Sequence, residues 1–130
     1  MINSHNKTYG SEHTRFLFRD IAEDELPDAE LCIIREVLQH LKNDDIFKIL
    51  KKLEKYKYVL VTESRAVKED AEVFNYDIRT GPYARGLLAS GIYLDEAPFN
   101  LKIKTLLQIP NPNNSQSAWR GEMATMLIEH

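Results

Sequence analysis

A chain of 130 residues has room for one domain, 1–130, built round one core. Its 17 basic against 20 acidic residues leave a net charge of -3, so no long-range field draws it to nucleic acid or to an anionic membrane. A 43% hydrophobic share with 28% charged residues belongs to a folded globular protein. The apolar runs are far too short for a membrane span, and no basic segment followed by an apolar core opens the chain, so the cytoplasm is the expected location.

In chain order, "MINSHNKTYG" sets Met1, Ile2 and Tyr9 in a polar stretch that closes on Gly10, the pattern of the last turns of an amphipathic helix. "RFLFRD" and "AELCIIRE" each carry an apolar run that ends in charged residues, which predicts two buried strands meeting solvent at their carboxyl ends. The acidic "IAEDELPD" connects them. Cys32, the one cysteine, lies inside the second run and reads as a core thiol rather than a nucleophile. His5, His13, His40 and His130 fall at no metal-ligand spacing, so no metal site is expected.

"NDDIFKILKKLEKYK" predicts a helix, because Ile46, Phe47, Ile49, Leu50 and Leu53 recur on one face. Asn43 is the expected cap, Asp44 and Asp45 suit the first turn, and Lys51, Lys52 and Lys55 suit the end as a solvated face. "YVLVTE" reads as a third buried strand with Thr62 and Glu63 at its polar end. From about 64 to 98 the pattern gives way to a long irregular stretch marked by Gly81, Pro82, Gly86, Gly91 and Pro98. Its Tyr76, Tyr83 and Tyr93, with Phe99 just beyond, either line a pocket or, as scattered aromatics more often do, simply pack. "LKIKTLLQI" and "MATMLIE" predict two strands joined through the turn-rich "PNPNNSQS" as a terminal hairpin. Strands alternating with helices imply an α/β sheet, mainly parallel, with ligands along its carboxyl edge.

The stretch "KTYGSEHTRFLFRDIAEDELPDAELCIIREVLQHLKNDDI" resembles the middle of a bacterial type of class I S-adenosylmethionine-dependent methyltransferase. There "D-I...LP.AD" precedes a strand that leads into "R-[DE]-V-L-Q-H-L...D-I", and the later "APFNL" resembles a further segment of that type. The resemblance is strongest from Asn6 to Glu63 and weak between Val67 and Ser90. It implies a truncated Rossmann-like fold, with strand order 3-2-1-4-5-7-6 in the whole family, and S-adenosylmethionine as cofactor. It places Asp20 where the third strand ends in an acceptor for the adenine amino group, and Ile21 where a backbone amide meets a ring nitrogen. Arg35 and Glu36 match the charged pair after the fourth strand, near the methionine part of the cofactor. Without the family pattern, Asp20 is a solvated strand end and Arg35 and Glu36 a local ion pair. The motif does not make His40 a base, since methyl transfer rests mainly on in-line positioning. No catalytic residue is named.

The glycine-rich turn that holds the cofactor in this family has no counterpart, because none of the five glycines forms "G-x-G". "MINSHNKTYG" then corresponds to the end of the helix before the third strand, and the family's first two strands are missing. At about 4.8 Å per strand that leaves a gap of roughly 14 Å between the third and fourth strands. Either "RFLFR" moves over to pair with "LCIIR", with only about ten residues for a crossover that needs a dozen or more, or a second copy fills the gap. A homodimer or domain-swapped assembly through the open sheet edge at "LCII" is expected. The competing readings are a non-catalytic self-associating module derived from the same fold and an unrelated small α/β binding domain.

Overall fold

The computed structural model describes residues 1–111 and 118–130, without the side chains of residues 86 and 87. Helix α1 (Ile2–Tyr9) is followed by strand β1 (Leu31–Arg35), helix α2 (Asn43–Leu53), strand β2 (Tyr58–Ala66) and strands β3 (Ile103–Pro110) and β4 (Gly121–Ile128). Short 3₁₀ turns lie at Leu38–His40 and Arg85–Leu88. The four strands form one open sheet in the order β1-β2-β4-β3.

The α/β class and the terminal antiparallel hairpin agree with expectation, with β4 lying between β2 and β3. The connection "PNPNNSQS" lies outside the described residues from 112 to 117. The sheet is not mainly parallel, however. Only β1 and β2 run parallel, while β2–β4 and β3–β4 are antiparallel.

The missing parallel partner is "RFLFRD", which forms no strand. Phe18 is 80% exposed, and the segment leans on α1 instead. Asn6 donates from Nδ2 to the Phe16 carbonyl and accepts the Phe16 amide at Oδ1, both at 2.7 Å, and the His5 ring lies 5.4 Å from that of Phe16. The connecting residues are spent on α2 rather than on a crossover. Lys52 Nζ donates to the carbonyls of Ile21 (3.3 Å), Ala22 (2.6 Å) and Asp24 (2.8 Å), and Lys55 pairs with Asp28 at 2.9 Å. Lys52 and Lys55 are therefore clamps on the 21–28 segment rather than a purely solvated face. Helix α1 itself buries none of its residues and ends without a left-handed glycine. Gly10 is extended at φ -64, and glycine is needed there because a Cβ would come within 2.2 Å of the Asn6 carbonyl oxygen.

Alternation divides the sheet into two faces. Cys32, Ile34, Val59, Val61, Ala124, Met126 and Ile128 point to the side covered by α2, where they meet Ile46, Ile49 and Leu53, and this is the core. Asn43 does not cap α2. The cap position is Lys42, and the Asn43 side chain turns inward, its Nδ2 donating to the Asn75 carbonyl at 3.0 Å. The start of α2 is satisfied from the long loop: the Asn43 amide donates to Asp77 Oδ1 and the Lys42 amide to Thr80 Oγ1, each at 2.9 Å.

β2 runs three residues past its expected end, and Glu63 and Arg65 face the core rather than water. Arg65 pairs with Glu122 at 2.9 Å and lies over the Tyr93 ring. Gly91 packs directly on it, since a Cβ there would fall 2.1 Å from Arg65 Cβ.

The opposite face carries Leu31, Ile33 and Arg35 of β1, Tyr58, Leu60 and Thr62 of β2, Thr125 and Leu127 of β4, and Leu107 and Ile109 of β3. None of these is buried, and Ile33 is 63% exposed. No helix among the described residues is long and apolar enough to cross a membrane.

Candidate functional site

At the carboxyl end of β1 the chain turns sharply through Glu36, which adopts a left-handed φ of 56. A non-glycine residue costs on the order of 1–2 kcal/mol in that region. The turn aligns three successive amides, those of Val37, Leu38 and Gln39, into a concave donor set of the kind that holds anions. Here the acceptor is internal. Glu63, fully buried on the neighbouring strand, accepts from Val37 (3.2 Å) and Leu38 (2.8 Å) at Oε1 and from Gln39 (3.3 Å) at Oε2. Burial pushes its carboxyl up to about 7, against the pull of the three amides.

The carbonyl side of the same turn is held by a buried charge. Arg85 Nη1 donates to the carbonyls of Leu38 and Gln39, both at 3.1 Å, Nη2 to Asn43 Oδ1 at 2.7 Å and Nε to the Tyr76 carbonyl at 2.7 Å. Burial lowers its guanidinium to about 10, which leaves it charged at neutral pH. One turn, 37–40, is thus gripped between a carboxyl at its amides and a guanidinium at its carbonyls.

Of the four residues matched to the cofactor site, Arg35 and Glu36 adjoin this turn, while Asp20 and Ile21 belong to the segment held on α2. Glu36 accepts from Gln39 Nε2 at 2.8 Å and from Ser64 Oγ at 3.0 Å. Arg35 is exposed, and no ion pair joins it to Glu36. Asp20 is exposed, and its Oδ1 accepts the amides of Ala22 (2.9 Å) and Glu23 (3.3 Å), folding the chain into a short turn. Oδ2 is left as its outward acceptor. Ile21 is half-buried against the core. No hydrogen bond or ion pair links Asp20 or Ile21 to Arg35 or Glu36. The Gln39–Glu36 bond connects the charged pair to the motif that follows it.

His40 Nδ1 donates to the Tyr83 carbonyl at 2.9 Å and its own carbonyl accepts from Gly81, so its role is to anchor the long loop. Burial raises the Cys32 thiol pKa, which makes it a poorer nucleophile. Among the described residues, no group of three His, Cys, Asp or Glu side chains gathers to hold a metal.

The loop aromatics separate into two kinds. Tyr93 is fully buried, with its hydroxyl on the Ala66 carbonyl, and Phe99 is buried against Phe47, so both pack. Tyr76 and Tyr83 are 46% and 61% exposed and line cavities. One cavity of about 410 Å3 is bounded by Glu72, Val73, Tyr76, Leu88, Ala89 and Trp119. A second, of about 350 Å3, shares Tyr76 and Leu88 with it and reaches Asp77, Arg79 and Tyr83.

Sequence reasoning missed Glu63, Arg85 and Asn75 as organising residues. A trace of the first lies in "VLVTESRA", where charges fall on the inward phase of an apolar alternation. Arg85 and Asn75 sit in a stretch without periodicity and leave no such trace. No family model, curated protein or solved structure matches the chain.

Proposed function

We propose that the chain is an S-adenosylmethionine-dependent methyltransferase-like protein of the cytoplasm, with its methyl acceptor unassigned, in which Asp20, Ile21, Arg35 and Glu36 form this chain's share of the cofactor site. The observation that carries this reading is the strand order. An antiparallel β4 set between β2 and β3, beyond a parallel β1–β2 pair, is the 4-5-7-6 order that the sequence resemblance implies. The position of Glu36 at the carboxyl end of β1 agrees with it, since ligands of open α/β sheets bind at that edge.

With no "G-x-G" turn among its residues, this chain alone is expected to hold cofactor without turning it over, because positioning of the sulfonium supplies most of the rate. Calorimetric titration with S-adenosylhomocysteine tests the reading. Micromolar binding is expected, weakened about tenfold or more by Asp20→Asn, which keeps an oxygen for the local turn but replaces the outward acceptor by a donor. No heat with the unaltered chain rejects it.

A second reading, a non-catalytic self-associating module, is favoured by the uncovered sheet face and the unpaired outer edge of β1. Leu31, Ile33, Tyr58, Leu107 and Ile109, each 44–63% exposed, lie on one face of the sheet, and exposed apolar residues gathered on one face mark interaction sites. Light scattering at micromolar concentration is expected to give twice the chain mass, and Ile33→Asp to return it to the single-chain mass. A single-chain mass for the unaltered protein overturns this reading.

A further inference from the structure

We propose that the two-lobed cleft round Tyr76 and Leu88 is a binding site for an organic ammonium ion, a cationic nitrogen carried on an apolar or aromatic body. The inference goes beyond the methyl-transfer reading and does not rest on it. The binding itself follows from how the cleft is built.

The backbone of the cleft is fixed from beneath while its side chains are left outside. The Tyr76 carbonyl accepts from buried Arg85 at 2.7 Å, and the Tyr76 amide donates to Ser90 Oγ at 3.2 Å. Ser90 Oγ donates in turn to the Val73 carbonyl at 2.6 Å, and the Glu72 amide donates to the Ala89 carbonyl at 3.1 Å. Asn75, buried with a left-handed φ of 52, is tied to the carbonyls of Tyr93 and Ala97. A loop this firmly set could bury its large side chains, yet Tyr76, Tyr83 and Leu88 each keep 46–61% of their surface in water round a preformed cavity. Preformed, mostly apolar concavities with few polar groups are the usual form of small-molecule sites.

The polar group of the first lobe sets the charge of its ligand. Glu72 is the lobe's one acidic or basic side chain, and its carboxylate has no hydrogen-bond or ion-pair partner among the described residues. The neighbouring cation, Arg120, is already neutralised. Asp70 holds its Nε and Nη2 at 3.0 and 2.9 Å and accepts its amide at 2.7 Å. An unneutralised carboxylate with an indole and a phenol round one cavity is the combination that selects a cation, by charge and by the negative faces of the rings. In the second lobe Asp77 and Arg79 offset one another, and Asp77 Oδ1 is already taken by the Asn43 amide. That lobe therefore suits the neutral body of the ligand. The cleft also adjoins the candidate site, since Arg85 joins Tyr76 to the 37–40 turn and His40 holds Tyr83.

Trp119 is the chain's only tryptophan, so its fluorescence reports the first lobe without labelling. Titration with phenethylammonium is expected to give a saturable change, with 2-phenylethanol, its neutral analogue, binding at least about tenfold more weakly. Glu72→Gln is expected to bring the ammonium down to the strength of the alcohol, while Tyr76→Ala weakens both. Both residues are exposed, and unchanged melting temperatures identify the variants as folded. Equal binding of ammonium and alcohol, no saturable change, or ammonium binding untouched by Glu72→Gln each overturns the proposal. Ammonium binding without heat from S-adenosylhomocysteine retains the cleft and rejects methyl transfer. Cofactor binding without ammonium binding does the reverse.

Discussion

Replacing Arg85 by methionine is expected to lower the free energy of unfolding by about 3–5 kcal/mol, the cost of removing one member of a buried charged network. The guanidinium reaches four acceptors, on Leu38, Gln39, Asn43 and Tyr76, and is fully buried. Methionine matches much of its apolar length but donates to none of the four, and the acceptors on Gln39 and Asn43 are left buried without it. A single domain is stable by only about 5–15 kcal/mol, so the loss is a large fraction of the total. Urea unfolding followed by circular dichroism reads it directly. Arg85→Lys is expected to recover only a part, because an ammonium is a point donor and cannot present a planar fork to carbonyls on opposite sides. A loss under about 1 kcal/mol for the methionine variant would mean that water replaces the guanidinium, and that the 67–102 loop is held by something else.

This dependence on one arginine explains which parts of the fold were legible beforehand. α2, β1, β2 and the terminal hairpin are local patterns: an apolar face at helical spacing, β-branched runs and a turn-rich connection. Each forms where its pattern lies. "RFLFRD" carries an equally good strand pattern and forms none, because too few connecting residues are free to bring it alongside the open edge of β1. The ten residues before β1 are held on α2 by Lys52 and Lys55. Local preference was outweighed by connection length and by clamps that periodicity does not encode.

The candidate site was legible in the same uneven way. "IIREVLQH" marks the turn at Glu36 by resemblance alone, and nothing in its composition foretells a left-handed residue. The partners of that turn are 24 to 47 positions away, in Glu63 and Arg85. Glu63 also looked like the solvated end of a strand, since a polar residue after an apolar run is ambiguous until the strand's length is known. The loop of 67–102 was readable only as irregular. Its order comes from side chains of Asn75, Arg85 and Ser90 bonding to backbone, and these bonds have no period to detect.

Stability is expected to fall as pH rises from about 5 to about 8, and Glu63→Gln is expected to abolish the fall. In the folded chain burial holds the Glu63 carboxyl at about 7, whereas its ordinary value is 4.5. Between those limits the folded state keeps a proton that the unfolded chain releases. The stabilisation is therefore complete below the lower value and is lost as pH passes the upper one, about 3 kcal/mol in all. The charged groups round it act in opposite senses. Glu36 favours the neutral form, while Arg85, on the far side of the turn, and the amides of Val37, Leu38 and Gln39 favour the anion. On the same face Arg65 is engaged by Glu122.

The depressed carboxyls, Asp28 beside Lys55 and Asp70 beside Arg120, are held below the usual carboxylate range and so do not add to the slope. Urea midpoints at pH 5, 6, 7 and 8 make the test, with Glu63→Gln as the permanently neutral side chain that can still accept at Oε1. A variant more stable than the unaltered chain at pH 8 and equal to it at pH 5 is the expected pattern. The absence of any slope that Glu63→Gln removes would mean that the three amides outweigh burial and that the carboxyl is ionised throughout. The turn carrying Glu36 and His40 would then be held by a full charge on each side, as firmly at pH 8 as at pH 5.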